Sequence, residues 1–120
     1  MTLLSQAKNM LPTLVSHRRF FHGTAEVGFE TKETNAYIKK ELARLAIPYS
    51  EIGGGILATL KDGEGGVLLR ADTDALPIKE ESDLSYSARG VRSHACGHDM
   101  HAAMLLGAAV LLKKHEERLP

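Results

Sequence analysis

The sequence predicts an α/β fold, with helices packed on a mixed β-sheet. Three observations carry this. Apolar residues recur at helical spacing in two segments of the N-terminal third. Short apolar stretches separated by glycine-rich turns fill the middle. A long, almost wholly apolar segment with no strand-like alternation follows near the C-terminus.

The first helical segment is Leu3 to Phe21, apolar at Leu3, Leu4, Ala7, Met10, Leu11, Leu14 and Val15. Pro12 interrupts it. Proline is tolerated only in a first turn, so a kink or restart is expected there. His22-Gly23-Thr24-Ala25 ends the segment. A second helix is expected from Thr31 to Ala46, with Thr31 as N-cap and Glu33 in the first turn. Its stripe is Tyr37, Ile38, Leu42 and Leu45; Lys39, Lys40, Glu41 and Arg44 face water, and Pro48 ends it.

Strand signals follow. Tyr49–Ile52 reads as a short edge strand, Gly53-Gly54-Gly55 as a turn, and Ile56–Leu60 as weakly alternating. Lys61 to Gly66 reads as a hairpin connection. Val67-Leu68-Leu69 is a continuous apolar run, as expected of a strand buried on both faces. It leads into Arg70-Ala71-Asp72-Thr73-Asp74-Ala75-Leu76-Pro77. Lys79 to Gly90 is polar and reads as a loop whose Glu80, Glu81 and Asp83 form a solvated face. The last helix is expected to start near Asp99 or Met100, to be buried on most sides, and to turn polar from Lys113.

The 120 residues suit one domain, and 43% hydrophobic with 25% charged residues is ordinary for a globular chain. A net charge of zero offers no electrostatic case for nucleic acid or an anionic membrane. No apolar run approaches a membrane-spanning length, and no signal-peptide pattern opens the chain. One cysteine forbids an internal disulfide, so a reduced, cytoplasmic setting is expected.

The histidines are not evenly spread. Three of six, with the single cysteine, lie in His94-Ala95-Cys96-Gly97-His98-Asp99-Met100-His101. Thiolate, imidazole and carboxylate are the donors that hold zinc and similar ions. Cys96 and His98 flank a glycine that lets the backbone turn, and His98 and His101 align if a helix starts there. The plain alternative is a polar helix start with Asp99 as N-cap and hydrogen-bonded structural histidines. Asp72 and Asp74 follow the apolar run, where α/β folds place their sites; a carboxylate there can orient a metal-bound histidine. The plain alternative for them is a turn before Pro77. A third reading makes Cys96 a nucleophile with His94 or His98 as base.

Four stretches together resemble the M20 metallopeptidase and amidohydrolase family, in the branch of N-acyl-amino-acid amidohydrolases, hippurate hydrolases and plant auxin-conjugate hydrolases. They are Arg18-Arg19-Phe20-Phe21-His22 with Glu26-Val27-Gly28-Phe29-Glu30; Thr34 to Leu45 with Ile47; Leu69 to Ile78; and His94 to His101. The last two are specific and the first two supportive. Ala25, Thr73 and Arg92-Ser93 depart from the family's usual residues without touching the implied ligands.

The resemblance implies that Cys96 and His98 are metal ligands and that Asp72 is the catalytic aspartate. Asp74, Asp99 and His101 are further site candidates. It implies two divalent ions in a full-length enzyme, with Zn, Mn, Co and Ni not distinguishable. The implied reaction is hydrolysis of the amide bond of N-acyl amino acids or related small amides. Family members are several hundred residues long, so residues 1–120 are expected to be the N-terminal portion of a zinc-peptidase-like catalytic domain. The paired glutamates, the remaining ligands and the lid domain that often dimerises are then expected outside it, and the chain alone is expected to be inactive. The alternative is a non-catalytic metal-binding or interaction domain.

Overall fold

The computed structural model describes residues 1–120. Helix α1 (Leu3–Asn9) begins at Thr2, whose hydroxyl accepts the Ser5 N–H at 3.1 Å. Met10 separates it from α2 (Leu11–Gly23), which carries Pro12 in its first turn, so the restart forms where proline costs no backbone hydrogen bond.

Helix α3 (Lys32–Arg44) follows. Thr31 precedes it but makes no side-chain cap hydrogen bond. Instead the Glu26 carboxylate accepts the N–H groups of Glu33 at 3.1 Å and Thr34 at 2.7 Å. The helix ends before Pro48 is reached. Ala46 takes a left-handed φ of 57°, the Ala46 N–H reaches Ala43 O, and the Ile47 N–H reaches Leu42 O. This double closure satisfies the orphan carbonyls of the last turn and packs buried Ile47 toward buried Leu42.

Strands β1 (Tyr49–Ile52) and β2 (Gly55–Ala58) form an antiparallel hairpin, Ile52 facing Gly55. Its two-residue turn has positive φ at Gly53 (53°) and Gly54 (84°), which glycine adopts without strain. Asn35 Nδ2 donates to Gly54 O at 2.8 Å, and Lys39 pairs with Glu51, so the hairpin rests on α3.

Two expectations fail here. Lys61 to Gly66 connects no hairpin, because β2 pairs only with β1. Val67, Leu68 and Leu69 are exposed (83%, 75% and 50%) and form no ladder. An apolar run records that a segment suits burial; it does not supply the neighbour that buries it. Only Leu69 faces an apolar wall, together with Leu3, Ala108 and Leu111.

The next segment is fixed by bridges. The Ala75 N–H donates to Glu26 O at 2.7 Å within a parallel Val27–Ala75 bridge, and Leu76 and Ser93 exchange two hydrogen bonds of 2.9 and 3.0 Å. The β-pairing is therefore small and of both senses, and the architecture is α/β.

Helix α4 (His98–Lys114) starts one residue before the expected position and turns polar at Lys113; a 3₁₀ turn, Glu116–Arg118, follows. It is not buried on most sides. Ala102, Ala103, Leu106 and Gly107 are buried, whereas Met100 and Met104 are exposed. The buried face meets Phe21 of α2, with Tyr37 and Ile38 of α3 packed alongside. Phe21 is wholly buried, so truncation to alanine costs about 3–5 kcal/mol. Gly107 lets α2 come close: a β-carbon there would lie 2.5 Å from Leu14 Cδ2.

Candidate metal and catalytic site

Cys96, Gly97 and His98 form the turn into α4. Gly97 is the N-cap residue with φ 88°, and its carbonyl accepts the N–H groups of Met100 (3.1 Å) and His101 (3.3 Å). A β-carbon at Gly97 would meet nothing, so glycine is required there for its backbone angle and not for space.

His98, first in the helix, reaches back to the bridged 72–76 segment. Its Nδ1 lies 2.9 Å from Asp74 O and 3.0 Å from Asp74 Oδ1. Both oxygens only accept, so Nδ1 carries a proton, while Nε2 makes no hydrogen bond within the protein. Asp72 Oδ2 is 3.8 Å from Nε2, and Asp72 Oδ1 accepts from Arg70 at 2.6 Å. The exposed Cys96 thiol points at the same Asp74 carbonyl, 3.8 Å away. No imidazole nitrogen is hydrogen-bonded to it, which leaves the nucleophile reading without its base.

The structure thus brings together Asp72, Asp74, Cys96 and His98. His101 is exposed, its ring centroid 6.0 Å from that of His98. No three ligand-type side chains converge on one point. The donor types suit a divalent transition ion, and a histidine whose Nδ1–H is anchored on a carboxylate and a carbonyl is oriented as metal-ligating histidines are. Asp72 lies beside His98 as expected, but at the end of an extended segment instead of a paired strand.

Asp99 is placed differently from the expectation that it is a site or cap residue beside His98. It is 1% exposed and points into the protein. Its Oδ2 accepts from Arg18 Nε at 2.8 Å and His22 Nδ1 at 2.7 Å, and its Oδ1 accepts the Met100 N–H at 2.9 Å. The reason is helical geometry: the next residue after His98 projects about 100° further round the axis. Burial favours the neutral carboxyl, but the His22 bond, the Met100 N–H and the Arg18 charge outweigh it and lower its pKa.

Glu80 is likewise not on a solvated face. Its side chain is 8% exposed, and Oε2 accepts from His22 Nε2 at 2.9 Å. Ser82 donates to it, and the Ala88 N–H reaches Oε1 at 2.7 Å. Burial raises the carboxyl pKa, but these donors from Ser82, His22 and Ala88 outweigh burial and bring it down to about 2. Tyr86 completes the packing, its hydroxyl 3.4 Å from Arg18 and its ring under the Arg19 guanidinium at 4.7 Å. The Arg18–His22 spacing, one helical turn, was the only sequence signal for this cluster.

His94 is buried (4% exposed) with both ring nitrogens unpartnered. Burial pushes its imidazole below the ordinary value, and the Asp99 carboxylate opposes the shift.

The chain is similar to several known proteins. Residues 68–120 match the family model described as peptidase family M20/M25/M40. The chain is 38% identical to the IAA-amino acid hydrolase ILR1-like 5 of Arabidopsis thaliana, over 97% of this chain and 28% of that protein. It is 43% identical to the N-acetyl-L-cysteine deacetylase of Bacillus subtilis, over 88% of this chain and 27% of that protein. Among solved structures, an aminohydrolase of methicillin-resistant Staphylococcus aureus superposes with TM-score 0.86 at 32% identity, covering 96% of this chain and 32% of that one. The YxeP protein of Bacillus subtilis, a dinuclear metal-binding peptidase of family M20, superposes with TM-score 0.81 at 33% identity, covering 91% and 32%. The chain therefore spans under a third of the length of these relatives. The match over residues 68–120, the relatives that align along nearly all of the chain and the two shared folds agree in likening this chain to the M20/M25/M40 peptidase family.

Proposed function

We propose that this chain is the N-terminal portion of the catalytic domain of a metal-dependent amidohydrolase that cleaves N-acyl amino acids or related small amides. The observation that carries the proposal is His98: its Nδ1–H is held by Asp74, and its Nε2 is left free beside Asp72. The relatives named for auxin conjugates and N-acetylcysteine support a small N-acyl substrate. A neighbour described as dinuclear supports two divalent ions in the complete site.

In this reading Cys96, as thiolate, and His98, through Nε2, hold an ion. Asp72, beside His98, is the catalytic carboxylate that orients the site. Asp74 fixes the His98 tautomer, and His101 flanks it. Divalent ions held there supply Lewis acidity toward an amide carbonyl and acidify a water. The general base that takes the water's proton lies outside residues 1–120, so these residues bind metal weakly and do not turn over substrate alone. No helix is long and apolar enough to cross a membrane; we place the enzyme in the cytoplasm, where Cys96 stays reduced.

The test is Co2+ titration of the chain, followed by thiolate-to-cobalt absorption, together with hydrolysis of N-acetyl- and N-benzoyl-amino acids in the presence of Zn, Mn, Co or Ni. Cobalt–thiolate absorption that disappears in Cys96→Ser and weakens in His98→Ala is expected, without turnover. Absorption that survives both substitutions overturns the ligand assignment. Metal-dependent turnover by the 120 residues overturns the placement of the base.

A further inference from the structure

Asp99 and His22 are buried in a cluster with Glu80 and the half-buried Arg18, and the hydrolytic chemistry makes no use of it. It joins three parts of the chain: α2 through Arg18 and His22, the 79–90 loop through Glu80, and the first turn of α4 through Asp99. Each ring nitrogen of His22 faces a carboxylate oxygen, 2.7 Å away at Asp99 and 2.9 Å away at Glu80. Carboxylates accept, so both nitrogens donate.

The first turn of α4 has little else to fix it. Its N-cap residue is Gly97, and no side chain caps it. Asp99 is tied to the turn through the Met100 N–H and to α2 through His22 and Arg18. His98 precedes Asp99 on the same turn and meets Asp74 on the other side. A rotation of the turn that separated Asp99 from His22 would swing His98 away from Asp74 by the same angle.

We infer that His22 is a positioning residue: by clamping Asp99 it sets the rotation of the first turn of α4 and so the meeting of His98 with Asp74. Its consequence for metal binding rests on the reading of His98 as a ligand; its consequence for His98 itself does not. Ligand placement tolerates errors of about 0.5 Å, so a small rotation matters.

Two substitutions separate positioning from general support. The asparagine amide nitrogen in His22→Asn takes the place of Nδ1 and keeps donation to Asp99. The glutamine amide nitrogen in His22→Gln takes the place of Nε2 and keeps donation to Glu80. In the metal-free chain, the His98 Nδ1–H proton resonance, protected by Asp74, is expected to persist in H22N and to vanish into solvent exchange in H22Q. Co2+ affinity is expected to fall at least tenfold in H22Q and less than threefold in H22N. An unchanged His98 resonance in H22Q, or equal losses in both variants, overturns the inference. Wild-type protein that shows no cobalt–thiolate absorption overturns the metal reading alone, and the resonance comparison still decides the role of His22. Independently of any variant, 15N spectra of the wild-type chain are expected to show His22 Nδ1 protonated; a bare Nδ1 overturns the clamp.

Discussion

Glu26 Oε1 accepts the backbone N–H of Thr34 at 2.7 Å and thereby caps a helix that Glu26 does not belong to. The same residue's carbonyl accepts the Ala75 N–H, one residue from Asp74. One glutamate thus ties the start of α3 to the segment that carries the candidate carboxylates Asp72 and Asp74.

Removing that carboxylate leaves two helix N–H groups unpaired in a buried corner. Glu26→Ala is expected to cost about 2 kcal/mol, as for loss of a strong N-cap with a charged acceptor. Thr31→Val, which preserves shape and removes a hydroxyl that caps nothing, is expected to change stability by less than about 0.5 kcal/mol. Urea unfolding of both variants checks this. A larger loss at Thr31 than at Glu26 would return the cap to Thr31.

Ala46 is the one non-glycine residue with positive φ, 57°. A left-handed alanine costs about 1 kcal/mol through its β-carbon, and glycine avoids that cost. Part of the gain is lost to the greater freedom of glycine in the unfolded chain. Ala46→Gly is therefore expected to stabilise the protein by about 0.5 kcal/mol, and Ala46→Val to destabilise it by 1 kcal/mol or more. Thermal melts of the two variants read the sign directly.

These two residues show where the sequence was legible and where it was not. The helices were readable because their apolar spacing and Pro12 act over a few residues, and the Gly53-Gly54 turn because glycine alone suits its angles. The cap at α3 was not, since its carboxylate comes from outside the helix while Thr31 has the right chemistry and the wrong geometry. Val67–Leu69 looked buried because composition carries no record of a missing neighbour. Asp72, Asp74, Cys96 and His98 were legible as a group through their donor types. Asp99 belongs to the same short motif, yet one helical step turns it from that site to Arg18 and His22. Glu80 meets its partner across 58 residues, and nothing local marks it.

Acid stability is expected to fall in two stages. Burial lowers the His17 pKa below its ordinary 6.5, with Glu41 opposing and Arg44 assisting. The unfolded chain then binds a proton before the folded one, so this stability is full above pH 6.5 and declines below it. Glu80 titrates at about 2 in the fold against an ordinary 4.5. Its contribution, on the order of 2 kcal/mol, is present above pH 4.5 and is lost as pH falls toward 2. Melting temperature measured from pH 8 to pH 2 checks both stages. His17→Gln should reduce the upper decline, to which buried His94 also contributes, and Glu80→Gln the lower one, which Asp99 shares. A profile unaltered by Glu80→Gln would show that the carboxylate is not held as the geometry describes.

Asp99 gives the sharpest separation between a structural and a ligand role. It is 1% exposed and faces two donors, the Arg18 guanidinium at 2.8 Å and His22 Nδ1 at 2.7 Å. Asp99→Asn keeps the volume, removes the negative charge and sets an amide among donors that all need an acceptor. Breaking one side of a buried ionic cluster costs about 3 kcal/mol or more, because the remaining charges stay desolvated without compensation. The loss is expected in the metal-free chain, measured by urea unfolding with chelator present. An Asp99 that served only to hold an ion would behave in the opposite way, with metal-free stability unchanged and Co2+ affinity reduced. The geometry requires the first outcome, since neither Asp99 oxygen is left without a protein donor: Oδ2 accepts from Arg18 and His22, and Oδ1 from the Met100 N–H.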